Sequence, residues 1–230
     1  MKNVFITGTD TGVGKTLVTS ALLHLLQTRG ISAAPMKPVA AGTIDIDGAQ
    51  LNEDVALMQA ICQHRHAIRD VNPYCMAEAV APHIAAALEN VAIDPKVIQE
   101  AFTRLSAQSD CVIVEGAGGF LVPLNALDSM AVIPSALNLE IILVVGMKLG
   151  CLNHAVLTAE AIGSRGLHLA GWVANVMTAI PMNRVDENIA SLQLLLKAPL
   201  LGTIPFLGSA KTKLEQAVIA SAHLQIDSLL

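Results

Sequence analysis

The chain has 230 residues and a formal net charge of -5 at pH 7, with abundant aliphatic and few aromatic side chains. These features suit one large α/β domain, residues 1–230, whose strands are covered by helices on both faces. The acidic balance argues against a nucleic-acid surface, and no apolar run approaches the roughly 18 to 20 residues of a membrane helix.

Met1 and Lys2 lead directly into an apolar segment, so no secretory leader is expected. Predicted strands then fall at residues 3–7, 33–39, 111–115, 141–145, 169–175 and 201–204. Predicted helices fall between them at 15–29, 54–63, 82–89, 95–107, 153–165 and 185–196. This alternation predicts βαβ units in a doubly wound, mostly parallel sheet. Gly30 and Gly166 are placed to end helices, and Asp94 followed by Pro95 to begin one. Residues 43–52 read as a loop near the ligand, and the stretch from Lys213 onward looks helical and weakly cationic. Cys62, Cys75, Cys111 and Cys151 include no C-x-x-C pair, which suits a reduced, cytoplasmic protein. Cys62, His64 and His66 lie close in sequence, but their spacing at a helix end does not converge them on a metal.

In a doubly wound sheet, ligands bind beyond the carboxyl ends of the strands, so the residues there carry the functional reading. The first strand runs into "GTDTGVGKT", Gly8 to Thr16, which nearly matches the phosphate-binding pattern G-x-x-x-x-G-K-[ST]. Five residues separate Gly8 from Gly14 where that pattern allows four. Even so, a strand, a glycine loop and a helix start at Lys15 supply the N–H groups and dipole that hold an anion. Lys15 suits terminal phosphates and the Thr16 hydroxyl suits Mg2+, which predicts a P-loop NTPase-like fold that binds phosphate. Lys37, in "MKPVAAG", is either a surface lysine at a strand end or a second cation facing the phosphate loop. Asp54 is either a first-turn acid that favours its helix dipole or a metal ligand. Glu115 ends a buried strand before Gly116, Ala117, Gly118 and Gly119, where a nucleotide enzyme holds Mg2+; Thr16, Asp54 and Glu115 form the expected metal set. Asn175 either forms a turn or pairs with the edge of an adenine.

"GTDTGVGKT", "KPVAAG", "VNPYCMAEAVAPHIAA", "VEGAGGFLVPL", "VVGMKLGCLNHAVLT", "GWVANV" and "LLGTIPFL" fall in the order and near the spacing found in dethiobiotin synthetases. The chain resembles that family, the ATP-dependent carboxylases of biotin biosynthesis, as far as Leu207. The family signature G-T-D-T-x-V-G-K-T contains the additional loop residue. The resemblance implies conversion of 7,8-diaminononanoate, CO2 and ATP into dethiobiotin, ADP and phosphate, through a carbamate and a carbamic-phosphoric anhydride. It implies Lys15 and Lys37 as catalytic cations, with Mg2+ as cofactor. ATP contacts are implied for Gly12, Val13, Gly14, Lys15, Thr16 and Leu17, for Asp54 and Glu115, and for Gly116, Ala117 and Gly118. The base contacts would come from Asn175, Val176, Ile204, Pro205 and Phe206. A homodimer with shared active sites is also implied, in which Thr11 and Lys37 face the substrate. Gly150, Cys151 and Asn153 would hold its carboxylate at a helix start, although an ordinary strand-to-helix turn is the other reading of 148–153.

Three positions depart from the family pattern. Ala41 stands where a hydroxyl residue is usual, so one substrate hydrogen bond is missing. Gly12 removes a side chain from the loop, and beyond Leu207 only Glu215 suggests itself for the ribose. The alternatives are a related P-loop ligase for another diamine or acid, and a nucleotide-switch ATPase. The switches carry a further signature lysine at the loop start, where this chain has Thr9, Asp10 and Thr11.

Overall fold

The computed structural model describes residues 2–46, 48–208 and 211–229. Strand β1 (Val4–Gly8) leads through the glycine loop into helix α1 (Lys15–Thr28), and β2 (Ala33–Met36) and β3 (Val39–Ala41) follow. A hairpin of β4 (Ile44–Ile46) and β5 (Ala49–Leu51) precedes α2 (Glu53–Ile61), α3 (Ile68–Val71) and β6 (Tyr74–Met76). Then come α4 (Pro82–Leu88), α5 (Pro95–Ser106), β7 (Cys111–Glu115), α6 (Val132–Leu137) and β8 (Glu140–Gly146). The chain continues through α7 (Cys151–Gly163), β9 (Leu169–Asn175), α8 (Val185–Leu195), β10 (Leu200–Ile204) and α9 (Lys213–Ser221). Among the described residues no helix is long and apolar enough to cross a membrane.

The main sheet has six strands in the order β10-β9-β8-β1-β7-β2, all paired in parallel. β7 is inserted between β1 and β2, and the chain then crosses β1 to reach β8. The direction of winding therefore reverses beside β1, which opens a crevice at the carboxyl ends of β1, β7 and β8. Successive strand residues point to opposite faces, so Val144 joins the core beneath α1, whereas Leu143 and Val145 pack with Trp172 and Leu192 on the other side. Helix ends follow the sequence signals: Gly30 (φ 74) and Gly166 (φ 69) are left-handed, and the Asp94 side chain accepts from Lys96 N at 2.8 Å with Pro95 at N1.

Two expectations are corrected here. The predicted strand 33–39 is broken, because Pro38 has no N–H to offer the ladder; the chain leaves the main sheet and β3 pairs instead with β6. The predicted loop 43–52 contains the antiparallel β4–β5 hairpin, in which Asp45 Oδ1 accepts from the N–H of the left-handed Gly48 at 3.1 Å.

Candidate active site

The phosphate loop is built around Val13, which is fully buried. A Cβ at Gly8 would lie 2.6 Å from Val13 Cγ2, and one at Gly146 would lie 3.0 Å from Val13 Cγ1. Val13 is thus wedged between the ends of β1 and β8, and the early glycine of the signature is the space it needs. Thr9 N still donates to Val144 O at 3.0 Å, so the loop departs from the sheet only after that residue. Gly14, the N-cap of α1, has φ 95, and a Cβ there would sit 2.2 Å from Asn175 Nδ2. Only glycine meets both demands. Gly12 is also left-handed (φ 73) and has open space beside it.

Lys15 is buried and donates from Nζ to Asp10 O at 3.1 Å. Burial pushes its pKa down, although the field of Glu115 opposes this. Asp10 Oδ1 accepts from Thr11 N at 2.8 Å, and Oδ2 pairs with Lys148 Nζ at 2.8 Å. Lys148, followed by the Asp10 turn, holds the Asp10 carboxyl below the usual range.

At the opposite wall, β2 pairs with β7 so that Met36 lies beside Val114, and the next residues along, Lys37 and Glu115, meet. Lys37 Nζ donates to Glu115 Oε1 at 2.7 Å and to Asp54 Oδ2 at 2.6 Å. Burial would depress the Lys37 pKa, but the two carboxylates outweigh it and raise the pKa well above the ordinary lysine value. Burial likewise pushes Asp54 up, and Lys37 more than reverses that, leaving the carboxyl low. Thr16 Oγ1 donates to Glu115 Oε1 at 3.0 Å, while Glu115 Oε2 is buried without a partner.

These groups fit a magnesium ion. The donors are hard oxygens, one of them an orphaned buried carboxylate atom, and two carboxylates with a hydroxyl leave positions for phosphate and water. Among the described residues no group of three or more His, Cys, Asp and Glu is placed to hold a metal ion by itself.

Thr11, Lys15, Thr16, Lys37, Asp54, Glu115, Ala117 and Gly118 line one cleft of about 800 Å³. Its far wall is apolar, formed by Ala41, Val80, Pro82 and Val122. A second hollow of about 310 Å³ shares Gly12 with it and is lined by Leu17, Asn175, Val176, Pro205 and Phe206. Some expected residues stand elsewhere. Ile204 is fully buried, accepting from Val176 N at 2.9 Å, and Gly116 is packed against Phe5, so both support the walls from behind. Asn175 Nδ2 is engaged with Val13 O at 2.9 Å, and the Glu215 carboxylate is occupied in the capping box of α9. Gly150, Cys151 and Asn153 lie at the start of α7, outside the cleft lining; Cys151 is buried and its N–H donates to Lys148 O at 3.0 Å.

Three contributors went unforeseen. Asn52 caps α2 by accepting from Asp54 N at 3.1 Å and anchors itself to Gly42 O at 2.8 Å. Asn72 donates to Lys37 O at 2.6 Å and fixes the lysine's backbone, a role hinted at only by the Asn-Pro pair in "VNPY". Lys213 also lines the cleft.

A parallel sheet with a glycine loop at its switch point, a helix start behind Lys15 and a magnesium-type carboxylate set define a P-loop ATPase-like protein. Solved structures share the arrangement. The septum site-determining protein MinD of Pyrococcus horikoshii, complexed with Mg-ADP, superposes with TM-score 0.60 at 17% identity, covering 96% of this chain and 95% of that one. A ParA family ATPase from Chlorobium tepidum gives 0.55 at 15% identity, covering 97% and 100%. At such identities the likeness concerns fold alone.

A family model described as "AAA domain" matches residues 2–213. Proteins named ATP-dependent dethiobiotin synthetase BioD align along nearly all their length. That of Aromatoleum aromaticum is 52% identical over 206 residues, 90% of this chain and 91% of the relative. Those of Cellvibrio japonicus (46%, covering 100% and 98%) and Ralstonia nicotianae (43%, covering 98% and 96%) agree. The chain belongs to the ATP-dependent dethiobiotin synthetase family.

Proposed function

We propose that this protein carboxylates 7,8-diaminononanoate with CO2 and closes the resulting carbamate to the cyclic urea of dethiobiotin, converting ATP to ADP and phosphate. The observation that carries the reading is the meeting of Lys15, Lys37, Thr16, Asp54 and Glu115 at the mouth of a glycine loop, on a cleft with an apolar far wall. The wall suits an aliphatic chain, and the polar end suits phosphates and a developing carbamate.

One amine of the substrate attacks CO2 and loses a proton, giving a carbamate whose oxygen then attacks the γ-phosphorus and releases ADP. The second amine attacks the carbamoyl carbon of the mixed anhydride and expels phosphate. Each step gathers negative charge, and a preorganised cation is the economical way to stabilise it. An ammonium has three donors, and Lys37 commits two of them to Asp54 and Glu115, which leaves one for the carbamate. Lys15, held by Asp10 O, serves the terminal phosphates, with the N–H groups from Gly12 to Leu17 around them. Thr16, Asp54 and Glu115 would hold Mg2+, which offsets charge on the triphosphate when bound. The hollow beside Asn175, Val176, Pro205 and Phe206 receives the base.

The substrate carboxylate goes to the start of α7 in a second copy of the chain, which makes the working form a homodimer. With the Cys151 N–H already engaged, the remaining donors near Gly150 and Asn153 carry that contact.

Purified protein given MgATP, bicarbonate and 7,8-diaminononanoate should yield dethiobiotin by mass spectrometry, with ATP turnover dependent on the diamine. ATP turnover independent of the diamine, with no product, would overturn the reading and favour a nucleotide switch.

A further inference from the structure

Lys213 opens α9, and its Nζ lies 2.5 Å from Oε1 of Glu53, the first residue of α2. The two side chains are 57% and 56% exposed. The pair joins two helix starts at the edge of the phosphate cleft, which Lys213 lines together with Lys15, Thr16 and Asp54.

Two features of this lysine are not explained by the packing around it. A cation at the first position of a helix opposes the helix dipole, and α9 is already started by the reciprocal Thr212–Glu215 capping box, so the helix gains nothing from Lys213. The second feature is charge. Among the described residues that line the cleft, Lys15 and Lys37 are matched by Asp54 and Glu115, which leaves Lys213 as the unmatched cation. Its partner Glu53 stands outside that lining, and an exposed pair of this kind is held only weakly. Lys37, in contrast, is pinned between two carboxylates, and Lys15 is committed to the loop. The cation freest to answer an incoming phosphate is the one at the rim.

We propose that Lys213 exchanges Glu53 for the terminal phosphate of bound ATP, acting as a further phosphate-contacting residue that distinguishes ATP from ADP. The proposal rests on the ATP-dependent reading above. The exchange breaks one exposed ion pair, returns Glu53 to water, and forms a charge-assisted hydrogen bond to a more highly charged acceptor. The exchange is a rotamer change in a long, half-exposed side chain that already lines the cleft. A lysine held in this way favours the nucleotide that carries a third phosphate and leaves ADP, as product, with one contact fewer.

The test uses the full chain with Mg2+, without diamine or CO2. Calorimetry measures affinity for a non-hydrolysable ATP analogue and for ADP. Lys213→Ala should weaken the analogue by about tenfold, equivalent to 1.4 kcal/mol, and ADP by less than about twofold. Glu53→Gln should leave the analogue's affinity unchanged or tightened, because the competitor for Lys213 is gone. Lys213→Arg, which keeps the charge, should retain most of the preference and covers the case in which the alanine variant folds poorly. Equal losses for both nucleotides, or parallel losses in the Lys213 and Glu53 variants, would show a structural clasp and overturn the proposal. Wild-type binding with no change in Lys213→Ala would overturn it alone, and wild-type protein that binds neither nucleotide would overturn the ATP reading as well.

Discussion

Lys37→Ala offers a test of how the inner cleft is held together. The side chain is 7% exposed, Glu115 is 0% and Asp54 is 30% exposed, so removing the ammonium strands one fully buried carboxylate and one partly hydrated one. Breaking a buried pair by removing one partner costs on the order of 3 to 5 kcal/mol, and the partial hydration of Asp54 places this case near 3. The loss should depend on pH. In the wild type, the raised pKa of Lys37 gives stability that is fully present below the ordinary 10.5 and is lost only as pH rises through the higher folded value. The lowered pKa of Asp54 gives stability present above the ordinary 3.8 and lost as pH falls through the depressed folded value. The wild-type contribution is therefore level between roughly pH 5 and 9. In the variant, Asp54 loses the cation that holds its carboxyl low and takes up a proton on acidification, so the deficit should be smaller near pH 4.5 than the roughly 3 kcal/mol at pH 7. Urea unfolding followed by fluorescence of Trp172, which is the sole tryptophan and fully buried, measures both values. Adding Asp54→Asn and Glu115→Gln should restore most of the stability, since a neutral set needs no cation. A variant as stable as wild type at pH 7, or a deficit indifferent to pH, would refute the reasoning.

Two further outcomes are expected. Gly14→Ala puts a Cβ 2.2 Å from Asn175 Nδ2 at φ 95, so it should cost about 1 to 3 kcal/mol and weaken ATP binding more than tenfold, as read by urea unfolding and calorimetry. Ala41→Ser adds a hydroxyl to the cleft wall and should lower KM for the diamine by up to about tenfold while leaving KM for ATP unchanged; steady-state kinetics with each substrate varied would detect either departure.

The strands at 111–115 and 169–175 were legible to the residue, because each is an unbroken apolar run ended by a polar side chain at the sheet's carboxyl edge. The break at Pro38 was legible in principle, since a proline inside a predicted strand already forbids one ladder bond. The hairpin was not: Ile44 is nearly half exposed, and two three-residue strands carry too little alternation to stand out. The site divides in the same way. The glycine loop is contiguous and left a pattern, Lys37 and Glu115 could be placed at strand ends, and Lys15 and Asp54 at helix starts. That Lys37 bridges Asp54 and Glu115 depends on β2 lying beside β7, and strand order leaves no local trace in a sequence. The Asp10–Lys148 and Glu53–Lys213 pairs were hidden for the same reason, each joining residues more than a hundred positions apart.

The wedge formed by Val13 makes the signature a matter of shared volume. One isopropyl group fills the space that Gly8 leaves and, together with Met177, the space that Gly146 leaves, so these positions are coupled in volume although they are scattered along the chain. Enlarging Gly8 alone drives a Cβ to 2.6 Å from Val13, a conflict that a Val13→Ala background relieves, whereas at Gly146 the sulfur of Met177 stands nearer than Val13, at 2.7 Å, and must move as well. The tolerance of each position is therefore epistatic on the others, and the extra loop residue persists because removing it would pull the valine out of its socket.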